Sequence, residues 1–300
     1  MVCGTKTSAC AVEESLFAFR RIGTEGGSRQ PHLLELHAGS CHVLAHATSI
    51  LHPHSIVESG PRVLDTDREA RLMRDQERLK RVLAWLDIIA AEVVELLINN
   101  YAFWQVQEVI RANKELQHAE SVFFEWMVSV FAHSAAVGVR RQAALDDQSV
   151  SLHRLLVELQ KYPHLVTREY HRNLFKNKST RVQQLVDHAY DNYVGLGRTE
   201  LDPARIQIDI DLLAAASKKI HHYTDRVVAH YDEKGLRQPV PTFHDLSKCL
   251  LEMEELVLKY LELVKGESKI TLLPTFLYDW KSIFRTPWIV ETGGSSACLT

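Results

Sequence analysis

The stretch TFHDLSKCLLEMEELVLKYLELVKG, residues 242–266, decides the fold class. Phe243, Leu246, Leu250, Met253, Val257, Tyr260 and Val264 recur in alternating steps of three and four. On an α-helix those steps fall on one face, so the stretch is a helix with a continuous apolar seam. Thr242 with Asp245 three residues on forms a capping-box-like start, and Gly266 closes the element. The same periodicity appears upstream. Val82, Leu86, Ile89, Val93 and Leu96 mark a long helix that begins near residue 62. Phe123, Met127, Val130, Ser134 and Val137 mark a second helix over about 119–144. Arg141 stands next on that stripe, which aims its guanidinium toward the protein interior.

Between these elements, DDQSVSLHRLLVELQKYP predicts a turn, a serine cap at Ser149 or Ser151, a short helix and a stop before Pro163. Residues 167–194 hold one or two shorter helices ending near GLGR. A further long helix starts after Asp202, with Pro203 in its first turn. Its stripe is Ile210, Leu213, Ser217, Ile220 and Thr224, continuing to Val227 and Tyr231. No segment shows a period-2 run of β-branched residues. An all-α, antiparallel helical bundle of about five long helices is therefore expected over residues 62–290.

Composition agrees. The 300 residues are 46% hydrophobic, enough for a packed core, and only 13 glycines and 9 prolines argue against a turn-rich β fold. A net charge of −3 gives no global basic field, so any nucleic-acid contact must be local. The five cysteines, at 3, 10, 41, 249 and 298, form no CxxC pair and fit a reducing cytoplasm. No apolar run approaches ~20 residues without charges or histidines, so no membrane span is expected. Residues 1–61 carry no sustained periodicity and are expected to be a poorly structured extension, and 291–300 a flexible tail. Cys41, His42, His46, His52 and His54 crowd together there, but zinc sites need more regular ligand pairs, so no metal site and no cofactor is assigned.

Several chemistries are absent from the sequence. It has no GxxxxGK[ST] loop, no GxGxxG after a strand and no HExxH. A ferritin-like centre needs two Glu-x-x-His pairs, and only Glu115 to His118 qualifies. What remains is HHYTDRVVAHYD, 221–232, where His222, Arg226 and His230 stand at successive steps of four on one helix face. Cleaving RNA without a metal needs an acid or base near the ribose 2′-hydroxyl and a cation on the phosphate. Histidine titrates near neutrality and arginine grips two phosphate oxygens at once. A helix-end histidine favoured by the macrodipole is the plainer alternative. His222, Lys219, Arg140 and Arg141 are candidate RNA or phosphate contacts. The alternative for the arginine pair is a structural clamp on Asp146 or Asp147, and for Lys219 a solvated face. Tyr278, Trp280, Phe284 and Trp288 are expected to cover the bundle.

Four stretches together resemble the HEPN superfamily, and within it the branch associated with abortive phage infection. They are GVRRQAALDDQSVSLHRLL (138–156), YTDRVVAHYD (223–232), VPTFHDLSKCLL (240–251) and DWKSIFRTPWI (279–289). The likeness spans about residues 80–290. It implies a homodimeric helical bundle, an Arg–His motif at the dimer cleft, and metal-independent endoribonuclease activity in a defence or toxin–antitoxin system with a partner protein. Carried onto this chain, the motif residues are His230, Arg226 and Asp225. Active members separate the arginine and histidine more widely and follow the arginine with Asn, Asp or His. Here three residues separate Arg226 from His230, and Val227 follows the arginine. The resemblance is equally compatible with a non-catalytic module that binds a partner protein, RNA or nucleotide.

Overall fold

The computed structural model describes residues 63–118, 121–146, 148–228 and 240–288. The expected leader 1–61, the tail 291–300, Asp147, Tyr231 and His230 lie outside the described residues, as does the crowded Cys/His group. All the regular elements described are helical, and one isolated bridge pairs Thr167 with Glu200. In chain order they are α1 (Val63–Ala112), α2 (Lys114–His118), α3 (Val122–Ala143), α4 (Leu152–Lys161), α5 (Arg168–Leu174), α6 (Thr180–Val194), α7 (Pro203–Tyr223) and α8 (Phe243–Lys265). A π-helical turn, Thr224–Val228, continues α7, and short 3-10 turns cover Pro163–Leu165 and Trp280–Arg285. The chain is all-α.

Helices α1, α3, α4, α7 and α8 pack around one core, with α5 and α6 leaning on α8. The seam expected on α8 is buried from Phe243 to Val264, and Leu250, Met253, Val257 and Val264 are wholly inaccessible. The α1 stripe Val82–Leu96 and the α7 stripe Ile210–Thr224 are buried as well. Local chemistry sets the ends. The Asp245 amide donates to Thr242 Oγ1 (3.1 Å) while the Asp245 carboxylate accepts from the Thr242 amide (2.9 Å), completing the capping box. Gly266 takes φ 68°, a left-handed turn that a side chain would disfavour. Asp202 caps α7 ahead of Pro203 by accepting from the Ala204 amide (3.0 Å).

Helix α3 packs by the face opposite to the expected one. Phe123, Val130 and Val137 are more than 40% exposed, whereas Phe131, Ala132, Ala135, Ala136, Gly138 and Val139 are buried. The helix is apolar all round, so periodicity cannot choose between its faces. Size does: the small residues let α3 approach α1 so closely that a Cβ at position 138 would stand 2.5 Å from Leu96 Cδ2. Among the described residues α3 is the one helix long and apolar enough to cross a membrane, a test that two-faced core helices also meet. Arg141 follows the outward stripe and points away from the core.

A buried histidine ties α5 to its neighbours. His171 is 1% exposed, stands 5.4 Å from the Tyr190 ring and 5.5 Å from Phe175, and neither ring nitrogen has a hydrogen-bond partner among the described residues. Burial holds its pKa below the ordinary histidine value. The Glu262 and Asp187 carboxylates act the other way and are outweighed. The unfolded chain therefore binds a proton here before the folded chain does. Stability should fall as pH drops through about 6.5, by no more than about 1.4 kcal/mol per pH unit from this group. Thermal melts at pH 7 and pH 5 should show a smaller drop for His171→Phe than for the wild type, and equal drops would refute the assignment.

Candidate functional site

The site is built where α3 ends, α4 begins and α7 loosens into its π turn. At the α3–α4 junction the sequence RRQ, 140–142, performs three separate tasks. Gln142 is wholly buried; its Oε1 accepts the Leu152 amide (2.9 Å), one of the unpaired donors at the start of α4, and its Nε2 donates to Glu92 on α1. Arg141 pairs with the same Glu92 carboxylate (2.5 Å), with 54% of its side chain exposed. Arg140 reaches the π turn, where its Nε donates to Asp225 Oδ1 (2.5 Å). Neither arginine is held by Asp146, which instead accepts the Gln148 amide (3.0 Å). The buried-clamp expectation for Arg141 is thereby corrected: its partner is on α1, because the outward face of α3 carries it away from the following turn. Ser151 is the cap, accepting from the Arg154 amide (3.1 Å) and donating to the Ala144 carbonyl (2.8 Å).

The π turn begins at a buried hydroxyl. Thr224 is buried and its Oγ1 donates to the Ile220 carbonyl (2.8 Å) and the Ala136 carbonyl of α3 (3.3 Å). π turns recur at functional sites. The next residue, Asp225, is presented to a guanidinium and an imidazole. Its Oδ1 takes Arg140 and its Oδ2 lies 3.1 Å from His221 Nδ1. All three side chains are 37–43% exposed, so the cluster contributes little to stability. An imidazole whose Nδ1–H is held by a carboxylate keeps Nε2 available for proton transfer. The guanidinium beside it retains N–H groups that can meet a phosphate oxygen.

The other candidates are distributed around this cluster. Arg226 is half-buried on the π turn. His222 is half-buried at the end of α7. Lys219 pairs with Asp245 (2.9 Å), linking α7 to α8. Burial alone would raise the Asp245 pKa, but the Thr242 backbone N–H and hydroxyl and the Lys219 ammonium hold it below the usual carboxylate range. The structure thus joins Arg140 to Asp225, and separates Arg141 and Lys219 into ion pairs of their own. His221, Gln142 and Glu92 were missed in sequence. His221 had a usable signal, since it stands four residues before Asp225 as His222 does before Arg226. Gln142 and Glu92 had none, because their pairing spans 50 residues.

Among the described residues no group of three or more His, Cys, Asp or Glu converges as a metal site. Of the C-terminal aromatics, Trp280 packs edge-on against Tyr101 (6.3 Å) and Trp288 against Phe123 (6.0 Å), while Tyr278 stays 71% exposed. Comparison with family models, curated proteins and solved structures finds no match to this chain.

Proposed function

We propose that this chain is an RNA-acting protein of the abortive-infection or toxin type, a HEPN-like antiparallel bundle that works as a cytoplasmic homodimer and cleaves RNA without a metal cofactor. The supporting observation is the Asp225 carboxylate gripping Arg140 and His221 on a π turn, with Arg226 next in sequence. In this mechanism His230 or His221 takes the 2′-hydroxyl proton, the oxygen attacks the adjacent phosphorus, and the 5′-oxygen leaves with a proton. Arg226 and Arg140 stabilise the charge that builds on the phosphate. The product is a cyclic phosphate, and DNA, which lacks the nucleophile, is spared.

A second function, binding without cleavage, is favoured by two features. Arg140 is already neutralised by Asp225, and fewer residues separate Arg226 from His230 in the sequence than in active members of the resembled family. The full-length protein incubated with RNA and excess chelator separates the two. Cyclic-phosphate-ended fragments are the expected result. Intact RNA retained by the protein would overturn the cleavage mechanism and leave a binding module.

A further inference from the structure

One face of α1 carries a row of cations that the site above does not use. Arg71, Arg74, Arg78 and Arg81 follow in steps of three, four and three. Trp85 and Glu92 continue the same face by steps of four and seven. The arginines therefore span about 15 Å, at 1.5 Å per residue, and beyond buried Trp85 the same face ends at the Glu92–Arg141 pair. A shallow cleft opens along it, lined by Met73, Arg74, Glu77, Arg78 and Arg81.

The cations are held in place by aromatic faces. Arg78 lies 4.1 Å over the Tyr162 ring, with Lys161 at 5.3 Å. Arg154 lies 4.4 Å over the Trp85 ring and Arg81 at 5.5 Å. Stacking orients a guanidinium and leaves its in-plane N–H edge open, which lowers the cost of ordering it on a ligand. Nearby carboxylates neutralise part of the row: Asp75 pairs with Arg78 (3.0 Å) and Glu158 with Arg81 (2.9 Å). Arg71 and Arg74 are exposed with no ion-pair partner among the described residues. Cations spaced about 5 Å apart along a helix suit a polymer of regularly repeated negative charge. The aromatic faces are occupied by cations, so bases have no free ring here to stack on, and the contact is to backbone.

We infer that this face of α1 is a track for the phosphodiester backbone of RNA, leading sequence-independently to the Arg140–Asp225–His221 cluster. The assignment of RNA as ligand rests on the function proposed above, but the track makes its own prediction. Labelled oligouridylates of ~24 and ~4 nucleotides would be titrated onto full-length wild type and the Arg71→Ala/Arg74→Ala variant, with salt varied. Both arginines are exposed, so the variant should melt like wild type.

The variant is expected to bind the long oligomer on the order of tenfold more weakly at low salt, with the salt slope shallower by roughly 1.4, and the short one unchanged. An unchanged long-oligomer affinity would overturn the track, as would polyglutamate or anionic vesicles binding the wild type as tightly as the long RNA. The two proposals fail separately. Cleavage that persists with unaltered binding in the variant removes only the track. Lost binding in the variant, with no cleavage by any protein, removes only the nuclease.

Discussion

Replacing Asp209 by alanine is expected to cause one of the largest stability losses available to a single polar substitution in this chain. Asp209 on α7 is 6% exposed, and its Oδ2 accepts from Lys259 Nζ and from the Tyr260 hydroxyl of α8, both at 2.6 Å. Burial, with the Asp209 carboxylate beside it, keeps the Tyr260 hydroxyl protonated and donating. Removing the carboxylate strands an ammonium and a hydroxyl in the α7–α8 contact. Breaking one side of such a pair costs about 3–5 kcal/mol, a large part of the roughly 5–15 kcal/mol that holds a domain folded. Lys259 retains 19% exposure and can swing its ammonium toward water, which places the expectation at about 3 kcal/mol. Removing both charges in Asp209→Leu/Lys259→Met should recover most of it, since no ion is left unpaired. Denaturant midpoints measure all three proteins. A loss below about 1 kcal/mol for Asp209→Ala would mean that the pair behaves as a surface ion pair.

The second large effect is on activity. If RNA cleavage is the function, His230→Ala and Arg226→Ala should each lower it by about 10²–10⁴-fold, the range for removing a proton-transfer group. Arg226→Lys should recover only part, because an ammonium cannot make the two parallel contacts of a guanidinium. Asp225→Asn should fall in the same range by releasing both Arg140 and His221. His221→Gln tells which histidine moves the proton: a full loss assigns the chemistry to His221, and a small one leaves it with His230. Thermal stability should barely change for Asp225→Asn, because ion pairs this exposed contribute little. Wild-type cleavage by His230→Ala and by His221→Gln together would eliminate the mechanism.

How far the chain could be understood without coordinates depended on the kind of helix. Helices α1, α7 and α8 each have one apolar face and one polar face, so their buried residues follow from spacing alone. The Thr242 cap and the Gly266 stop were legible for a similar reason, and the serine cap was narrowed to Ser149 or Ser151, since capping is chemistry between residues within four positions of each other. Helix α3 was legible as a helix but not as to its inward side. The tryptophan and phenylalanine side carries more apolar surface, yet the alanine and glycine side permits closer packing on α1.

The candidate site divides along the same line. The sequence by itself determined that this is an all-helical chain, that α7 ends in a cluster of histidine, arginine and aspartate, and that an arginine pair precedes the α4 cap. Those are properties of neighbours along the chain, set by 3.6-residue periodicity and local hydrogen bonding. Tertiary structure alone decided which arginine meets which acid. Arg140 finds Asp225 across 85 residues, Arg141 finds Glu92, and the row on α1 meets the Tyr162 ring and the α4 cations Arg154 and Lys161. Charges attract without regard to sequence distance and carry no periodic signal of their own. Their partners emerge only when the apolar faces have brought the helices together.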